Sequence, residues 1–83
     1  MAQIETIEYL KMLRRMVVAA GNRVAQADED ELLMLKNICD LAYRILGESV
    51  RQQVRQGKSW SDIGRAFNIS KQTAHQKWGK YSK

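Results

Sequence analysis

The sequence predicts an all-α protein in which two long helices form an N-terminal hairpin and two short helices follow. Three observations support this fold class: proline is absent, residues with high helix propensity predominate, and apolar residues recur at three- and four-residue steps. The chain has 83 residues, of which 45% are hydrophobic and 28% are charged, and these values are typical of one folded domain. We therefore expect a single folded unit, with the hairpin over residues 1–56 and the short helices over residues 57–83.

The first helix is predicted over residues 4–20. Its apolar positions keep a helical period and would share one face; they are Ile4, Ile7, Leu10, Leu13, Val17, Ala20 and Val24. The sequence allows two positions for the C-terminal end of this helix. Gly21 and Asn22 resemble a C-terminal cap, whereas Val24 keeps the same phase and allows the helix to reach about Gln26.

The second helix is predicted from Asp28 to about Gln56. Asp28 and Glu31 have the spacing of a capping box, in which each end residue bonds the other's backbone. Gly57 is expected to end the helix. The apolar stripe continues through Gly47, which we interpret either as a kink or as a place where another helix crosses closely.

Two short helices are predicted after Gly57. Ser59 and Ser70 are the expected N-caps, and Asp62 lies three residues after Ser59, as a capping box requires. Asn68 lies in the turn between the helices, at a position that often needs a positive φ. The spacing therefore predicts two helices joined by a turn of three or four residues.

The two short helices are expected to cross at a fixed angle. Gly64 lies where the second passes close to the first, so a side chain larger than alanine would push them apart. The residues predicted to face inward and hold the angle are all apolar: Ile63, Phe67, Ile69, Ala74 and Trp78. This is the pattern of a helix-turn-helix over residues 57–83.

Charge is divided unevenly along the chain. Residues Met1 to Glu48 include six basic and eight acidic residues, a net charge of −2. Residues Ser49 to Lys83 include eight basic residues and one acidic residue, a net charge of +7. The C-terminal part is therefore expected to bind a polyanion.

The last helix, at about residues 71–79, carries the candidate base-reading residues on its outward face. These residues are Ser70, Lys71, Gln72, Thr73, His75 and Gln76. Glutamine can form two hydrogen bonds with adenine, lysine and histidine can donate to guanine, and Ser70 with the helix N-terminus can hold a phosphate. Six cations around this face are candidate phosphate contacts: Arg51, Arg55, Lys58, Arg65, Lys77 and Lys80. We therefore expect binding to double-stranded DNA, with this helix in the major groove.

The segment from Asp62 to Gln76 resembles the helix-turn-helix of region 4 in bacterial sigma factors, over roughly residues 58–78. The stretch from Gly57 to Gly64 is also similar to small helix-turn-helix proteins of actinobacteria and their phages. Both resemblances imply DNA binding, through Lys71, Gln72, His75 and Gln76. Ala74 departs from the sigma pattern, which usually has a bulky aliphatic residue there, and the sequence contains no other sigma region. We therefore do not expect this chain to initiate transcription itself.

Other classes of function have little support. No nucleophile–base pair, metal cluster or phosphate-binding loop can be assembled, so we expect no enzyme activity, no cofactor and no metal. His75 is the only histidine, which favours a base or phosphate contact over a metal ligand or a pH sensor. Trp60, Trp78 and Tyr81 could stack on single-stranded nucleic acid, but Trp78 and Tyr81 have the spacing of core residues.

The expected role is that of a sequence-specific transcriptional regulator in the cytoplasm, at the nucleoid, with residues 4–50 available for forming a homodimer. The single cysteine, Cys39, allows no internal disulfide, and neither a membrane span nor a signal peptide is recognisable. The alternative is an assembly or adaptor protein that contacts RNA polymerase or a phage packaging or recombination complex. Duplex DNA binding should weaken steeply with salt, whereas binding to a protein need not.

Overall fold

The computed structural model describes residues 2–79, with side chains from residue 5 onward. It contains four helices: α1 (Ala2–Val24), α2 (Glu29–Arg55), α3 (Trp60–Phe67) and α4 (Lys71–Trp78). The predicted all-α fold, with a long helix leading into two short helices, is confirmed. Strands do not occur among the described residues.

The connection between α1 and α2 is short. Helix α1 continues through Gly21 and ends at Val24. Of the two predicted alternatives, the helix that passes Gly21 is therefore the one observed. The amide of Asp28 donates to Oε1 of Glu31 at 3.2 Å, and the amide of Glu31 donates to the carbonyl of Asp28 at 3.1 Å. The first bond is one of the two that the predicted capping box requires; for the other, the amide of Glu31 bonds the backbone carbonyl of Asp28 rather than its carboxylate. Helix α2 begins at the next residue, Glu29.

Helix α2 ends in a left-handed glycine. Gly57 has φ +115°, a conformation that is strained for any residue that carries a side chain. The amide of Gly57 donates to the carbonyl of Val54, and that of Lys58 donates to the carbonyl of Gln53 at 3.0 Å. This pair of bonds is the Schellman motif, which satisfies the last carbonyl groups of a helix.

Helix α3 has caps at both ends. The hydroxyl of Ser59 accepts from the amide of Asp62, and the carboxylate of Asp62 accepts from the amide of Ser59, both at 3.0 Å. Asn68 has φ 58° and ψ 42°, so the left-handed turn predicted there is confirmed. The amide of Ile69 then donates to the carbonyl of Gly64 at 2.8 Å, which closes a second Schellman motif.

The chain divides into two compact units, Met1–Asp40 and Leu41–Lys83, and the boundary lies inside α2. The sequence analysis assigned all of α2 to the segment 1–56, and the end of this helix contributes to the core of the second unit. That core consists of Val50, Ile63, Ala74 and Trp78, with Val54, Trp60 and Ile69 packed against it.

Two glycines allow close packing within the second unit. A Cβ at Gly64 would lie 2.6 Å from the carbonyl oxygen of Ile69, so even alanine does not fit without movement. The expectation that alanine fits there is therefore wrong, because the neighbouring atom is backbone. A Cβ at Gly47 would lie 3.2 Å from Cδ1 of Trp78. Gly47 thus marks a close crossing, one of its two predicted roles.

Phe67 differs from its predicted inward position, because 42% of its surface is exposed. Its ring still contacts that of Trp78, with the centroids 4.9 Å apart and the planes inclined at 40°. Phe67 is the last residue of α3, where the chain turns away. It therefore covers the edge of the core.

Candidate nucleic-acid interface

Helix α4 has one buried face and one exposed face. Ala74 is 0% exposed and Trp78 is 5% exposed, so both pack into the core as predicted. The candidate base-reading residues are all exposed: Ser70, Lys71, Gln72, Thr73, His75 and Gln76. Because an α-helix has 3.6 residues per turn, Gln72 and Gln76 lie one turn apart on the side opposite the core. The structure therefore brings these two amides together on one surface.

Ser70 and Thr73 bond to each other at the beginning of α4. The hydroxyl of Ser70 accepts from the amide of Thr73 at 3.0 Å and donates to Oγ1 of Thr73 at 2.8 Å. The Ser70 proton is therefore used inside the protein, and its main role is that of an N-cap. Thr73 keeps its own hydroxyl proton for an outside acceptor.

His75 is exposed but held on one side by Trp60. The ring centroids are 5.2 Å apart and the planes are inclined at 82°, an edge-to-face contact. Sequence reasoning missed this contact. Its signal was the position of Trp60 at the start of α3, one turn before the inward-facing Ile63.

The exposed cations differ in which groups of the protein they already contact. Arg65 forms an ion pair with Asp62, and Nη1 of Arg55 donates to Oε1 of Gln52 at 3.0 Å. Nζ of Lys77 lies 5.8 Å from the ring centroid of Trp78, within the range of a cation–π interaction. The candidate phosphate contacts that are exposed are Arg55, Lys58, Arg65 and Lys77.

Arg51 has a structural role that the sequence did not reveal. Its side chain is half-buried, and Nη1 donates to the carbonyl oxygen of Trp78 at 3.3 Å. A cation at the C-terminal end of a helix also interacts favourably with the helix dipole. Arg51 therefore holds the last turn of α4. Lys80, the sixth candidate phosphate contact, and Tyr81 lie outside the described residues.

The carboxylate of Asp62 is stabilised in its charged form. Hydrogen bonds from the backbone amide and then the hydroxyl of Ser59 lower the pKa of Asp62, and the charges of Arg65 and Lys58 lower it further. Burial acts in the opposite direction but does not reverse the shift. The one acidic residue of the C-terminal part is thus committed to capping α3.

The described part of the chain offers neither a metal site nor a membrane-spanning helix. Within residues 2–79, no group of three or more histidine, cysteine or acidic side chains is placed to hold a metal ion. None of the four helices is both long enough and apolar enough to span a bilayer.

Similarity to known proteins is limited to part of this chain. Over 49 residues it is 35% identical to an uncharacterized protein of Mycobacterium bovis, and equally so to an uncharacterized protein of Mycobacterium tuberculosis strain H37Rv. The aligned segment is 59% of this chain and only 19% of each relative, so this chain spans about a fifth of those proteins. No family model matches. No solved structure matches either.

Proposed function

We propose that this chain binds double-stranded DNA in a sequence-specific manner and acts as a transcriptional regulator, with α4 in the major groove. The observation that carries the proposal is the division of α4 into two faces. Gln72 and Gln76 are exposed one turn apart, whereas Ala74 and Trp78 are buried. Base contacts could therefore form without disturbing the core.

The chemistry of the exposed face suits base edges. A glutamine amide offers an NH₂ group that can donate to N7 of adenine and a carbonyl oxygen that can accept from its N6 amino group. Lys71 and His75 lie beside the glutamines and can donate to N7 and O6 of guanine. A helix with its side chains is about 10–12 Å wide, close to the roughly 12 Å width of the major groove.

The relation of α3 to α4 supports the same function. Two short helices joined by a tight turn are the framework on which helix-turn-helix proteins present a recognition helix. The turn over residues 68–70 has this form, with the left-handed Asn68 and the close approach at Gly64. The resemblance of residues 58–78 to region 4 of sigma factors points the same way. In this arrangement α3 would lie across the groove.

Charge supplies affinity that does not depend on sequence. The segment from Ser49 to Lys83 has a net charge of +7. We assign the first phosphate contacts to Arg55, Lys58 and Lys77, which are exposed. Arg65 and Arg51 follow, because the charge of Arg65 is paired with Asp62 and Arg51 is half-buried against the carbonyl of Trp78.

A salt titration tests the proposal. We expect the purified chain to bind a pool of random duplexes, with a slope of log affinity against log salt of about −3 for three phosphate contacts and about −5 for six. The triple variant Arg55→Ala, Lys58→Ala, Lys77→Ala should make the slope shallower by about 3. The matched control replaces three exposed cations of the preceding part, Lys11, Arg15 and Lys36, and should leave the slope unchanged. Absence of duplex binding at low salt, or equal slopes for the two triple variants, would overturn the proposal.

A further inference from the structure

The exposed imidazole of His75 has two neighbours that limit its movement. The first is the indole of Trp60, whose ring centroid lies 5.2 Å away, with the two planes inclined at 82°. The second is Gly79, which caps α4 and whose amide donates to the carbonyl oxygen of His75. An exposed side chain without such neighbours exchanges between rotamers on the picosecond to nanosecond timescale. His75 is therefore better ordered than its exposure alone indicates.

The lack of a side chain at Gly79 makes room for the imidazole. A Cβ at Gly79 would lie 2.9 Å from Cδ2, 3.0 Å from Nε2 and 3.1 Å from Cγ of His75. Because these distances are nearly equal, the Cβ would meet the face of the ring and not its edge. The backbone of Gly79 has φ −75° and ψ −29°, which any residue can adopt. The packing of His75, and not the backbone conformation, therefore favours glycine at this position.

Trp60 is itself held in place by the core. It is the first residue of α3, directly after the N-cap Ser59, and the capping box of Ser59 and Asp62 fixes this end of the helix. The half-buried indole of Trp60 packs against the core of the second unit. Edge-to-face contacts between aromatic rings are favourable beyond the area that they bury. The core thus supports Trp60, and Trp60 supports His75.

The position of His75 on α4 places it next to the glutamines. It follows Gln72 by three residues, so in a helix with 3.6 residues per turn the two side chains lie on neighbouring parts of the surface. Imidazole forms hydrogen bonds through Nδ1 and Nε2, in the plane of the ring. Packing of the ring face over Gly79 leaves that plane open.

Guanine suits a single donor that is held in one position. In the major groove guanine presents two adjacent acceptors, N7 and O6, whereas adenine presents one acceptor beside a donor. Fixing a free side chain on binding costs entropy, and a side chain that is already ordered avoids most of that cost. An ordered imidazole therefore discriminates between bases better than a freely rotating one.

We propose that Trp60 and Gly79 position His75 to recognise guanine, so that the duplex bound by this protein carries a G·C pair facing His75. His75 makes the base contact, whereas Trp60 and Gly79 are positioning residues that act through it. The inference rests on the proposed function, because it requires α4 in the major groove.

Base-pair substitutions in a duplex selected from a random library test this role. We expect one G·C pair at which the wild type prefers guanine to adenine and at which His75→Ala reduces the preference by about tenfold. Gly79→Ala must displace the ring and should reduce it by at least about threefold. In a His75→Ala background, Gly79→Ala should change the preference by less than about 1.5-fold, since no ring remains to be displaced. The control Gly21→Ala meets no atom within 4 Å and should leave the preference unchanged.

Variants of Trp60 separate positioning from packing. Leucine keeps an apolar side chain against the core but removes the aromatic contact, so Trp60→Leu should lower the guanine preference by at least about threefold. Trp60→Phe keeps an aromatic ring and should retain most of the preference. Nuclear Overhauser effects between the ring protons of residues 60 and 75, measured without DNA, should be present in the wild type and lost in Gly79→Ala. Circular dichroism shows whether each variant keeps its helices.

The outcomes distinguish this inference from the proposed function. If Gln72→Ala changes the preference at its own base pair while Gly79→Ala and Trp60→Leu change none, α4 reads bases but the positioning role is wrong. If His75→Ala weakens binding to all duplexes equally, His75 contacts a phosphate and the inference is overturned. A library from which no sequence is enriched would overturn both the inference and the proposed function.

Discussion

The carbonyl oxygen of Ile69 lies 2.6 Å from the place that a Cβ at Gly64 would occupy, and the amide of Ile69 donates to the carbonyl of Gly64 at 2.8 Å. The end of the turn is therefore in direct backbone contact with the middle of α3. This contact leaves α3 and α4 little freedom to change their spacing. It sets where the exposed face of α4 lies relative to α3.

Replacing Gly64 by alanine should destabilise the protein. The new methyl group must displace backbone, and overpacking of this kind costs about 1–3 kcal/mol. The matched control is Gly21→Ala, because a Cβ there meets nothing within 4 Å inside α1; it should stabilise by about 0.5–1 kcal/mol. Urea unfolding of both variants measures the difference, and equal midpoints would contradict the close contact.

Trp78 should be essential to the folded second unit. Truncating a buried aromatic side chain to alanine costs about 3–5 kcal/mol, a large share of the stability of a small domain. Nε1 of Trp78 is buried and has no hydrogen-bond partner among the described residues 2–79, so Trp78→Phe should cost less than Trp78→Ala. Thermal unfolding followed by far-UV circular dichroism ranks the two variants. A larger loss for phenylalanine than for alanine would show that the burial is misassigned.

The capping box of α3 should make stability depend on pH. The pKa of Asp62 lies below its ordinary value of 3.8, because the amide of Ser59 bonds the charged carboxylate. The stabilisation is therefore fully present above the ordinary pKa of 3.8 and is lost as pH falls through the lower, folded-state pKa. Asp62→Asn should flatten this acid limb when unfolding midpoints are compared across pH. An unchanged acid limb in the variant, or an NMR titration of Asp62 above 3.8, would contradict the cap.

Local signals predicted most of the fold. The caps at Ser59 and Ser70 and the left-handed turn at Asn68 depend on short-range backbone chemistry, so residue type and spacing were enough. The buried positions of Ala74 and Trp78 followed from helical period. Helical period also predicted the exposed face of α4, because this face consists of the residues of the helix that do not point toward the core.

Contacts between residues distant in the sequence were harder to predict. The bond from Arg51 to the carbonyl of Trp78 joins positions 27 residues apart, and no local pattern distinguishes Arg51 from the other cations. Exposure of Phe67 depends on where α3 ends relative to the core. The apolar residues Ile7, Leu10 and Val17 of α1 were expected to belong to a hairpin but are about half-exposed. Periodicity indicates which side chains share a face but not what covers them.

The central claim, that the outer face of α4 reads bases, is tested most directly on duplexes selected from a random library. Affinity for the selected duplex is compared with that for a scrambled duplex of equal length. We predict that Gln72→Ala and Gln76→Ala each reduce the difference in binding free energy between the two duplexes by about 1–3 kcal/mol. Arg55→Ala should weaken binding to both duplexes alike and leave the ratio unchanged. Gln53→Ala, an exposed glutamine outside α4, should leave the ratio unchanged. A ratio unaffected by both α4 glutamines, or a library from which no sequence is enriched, would contradict the claim.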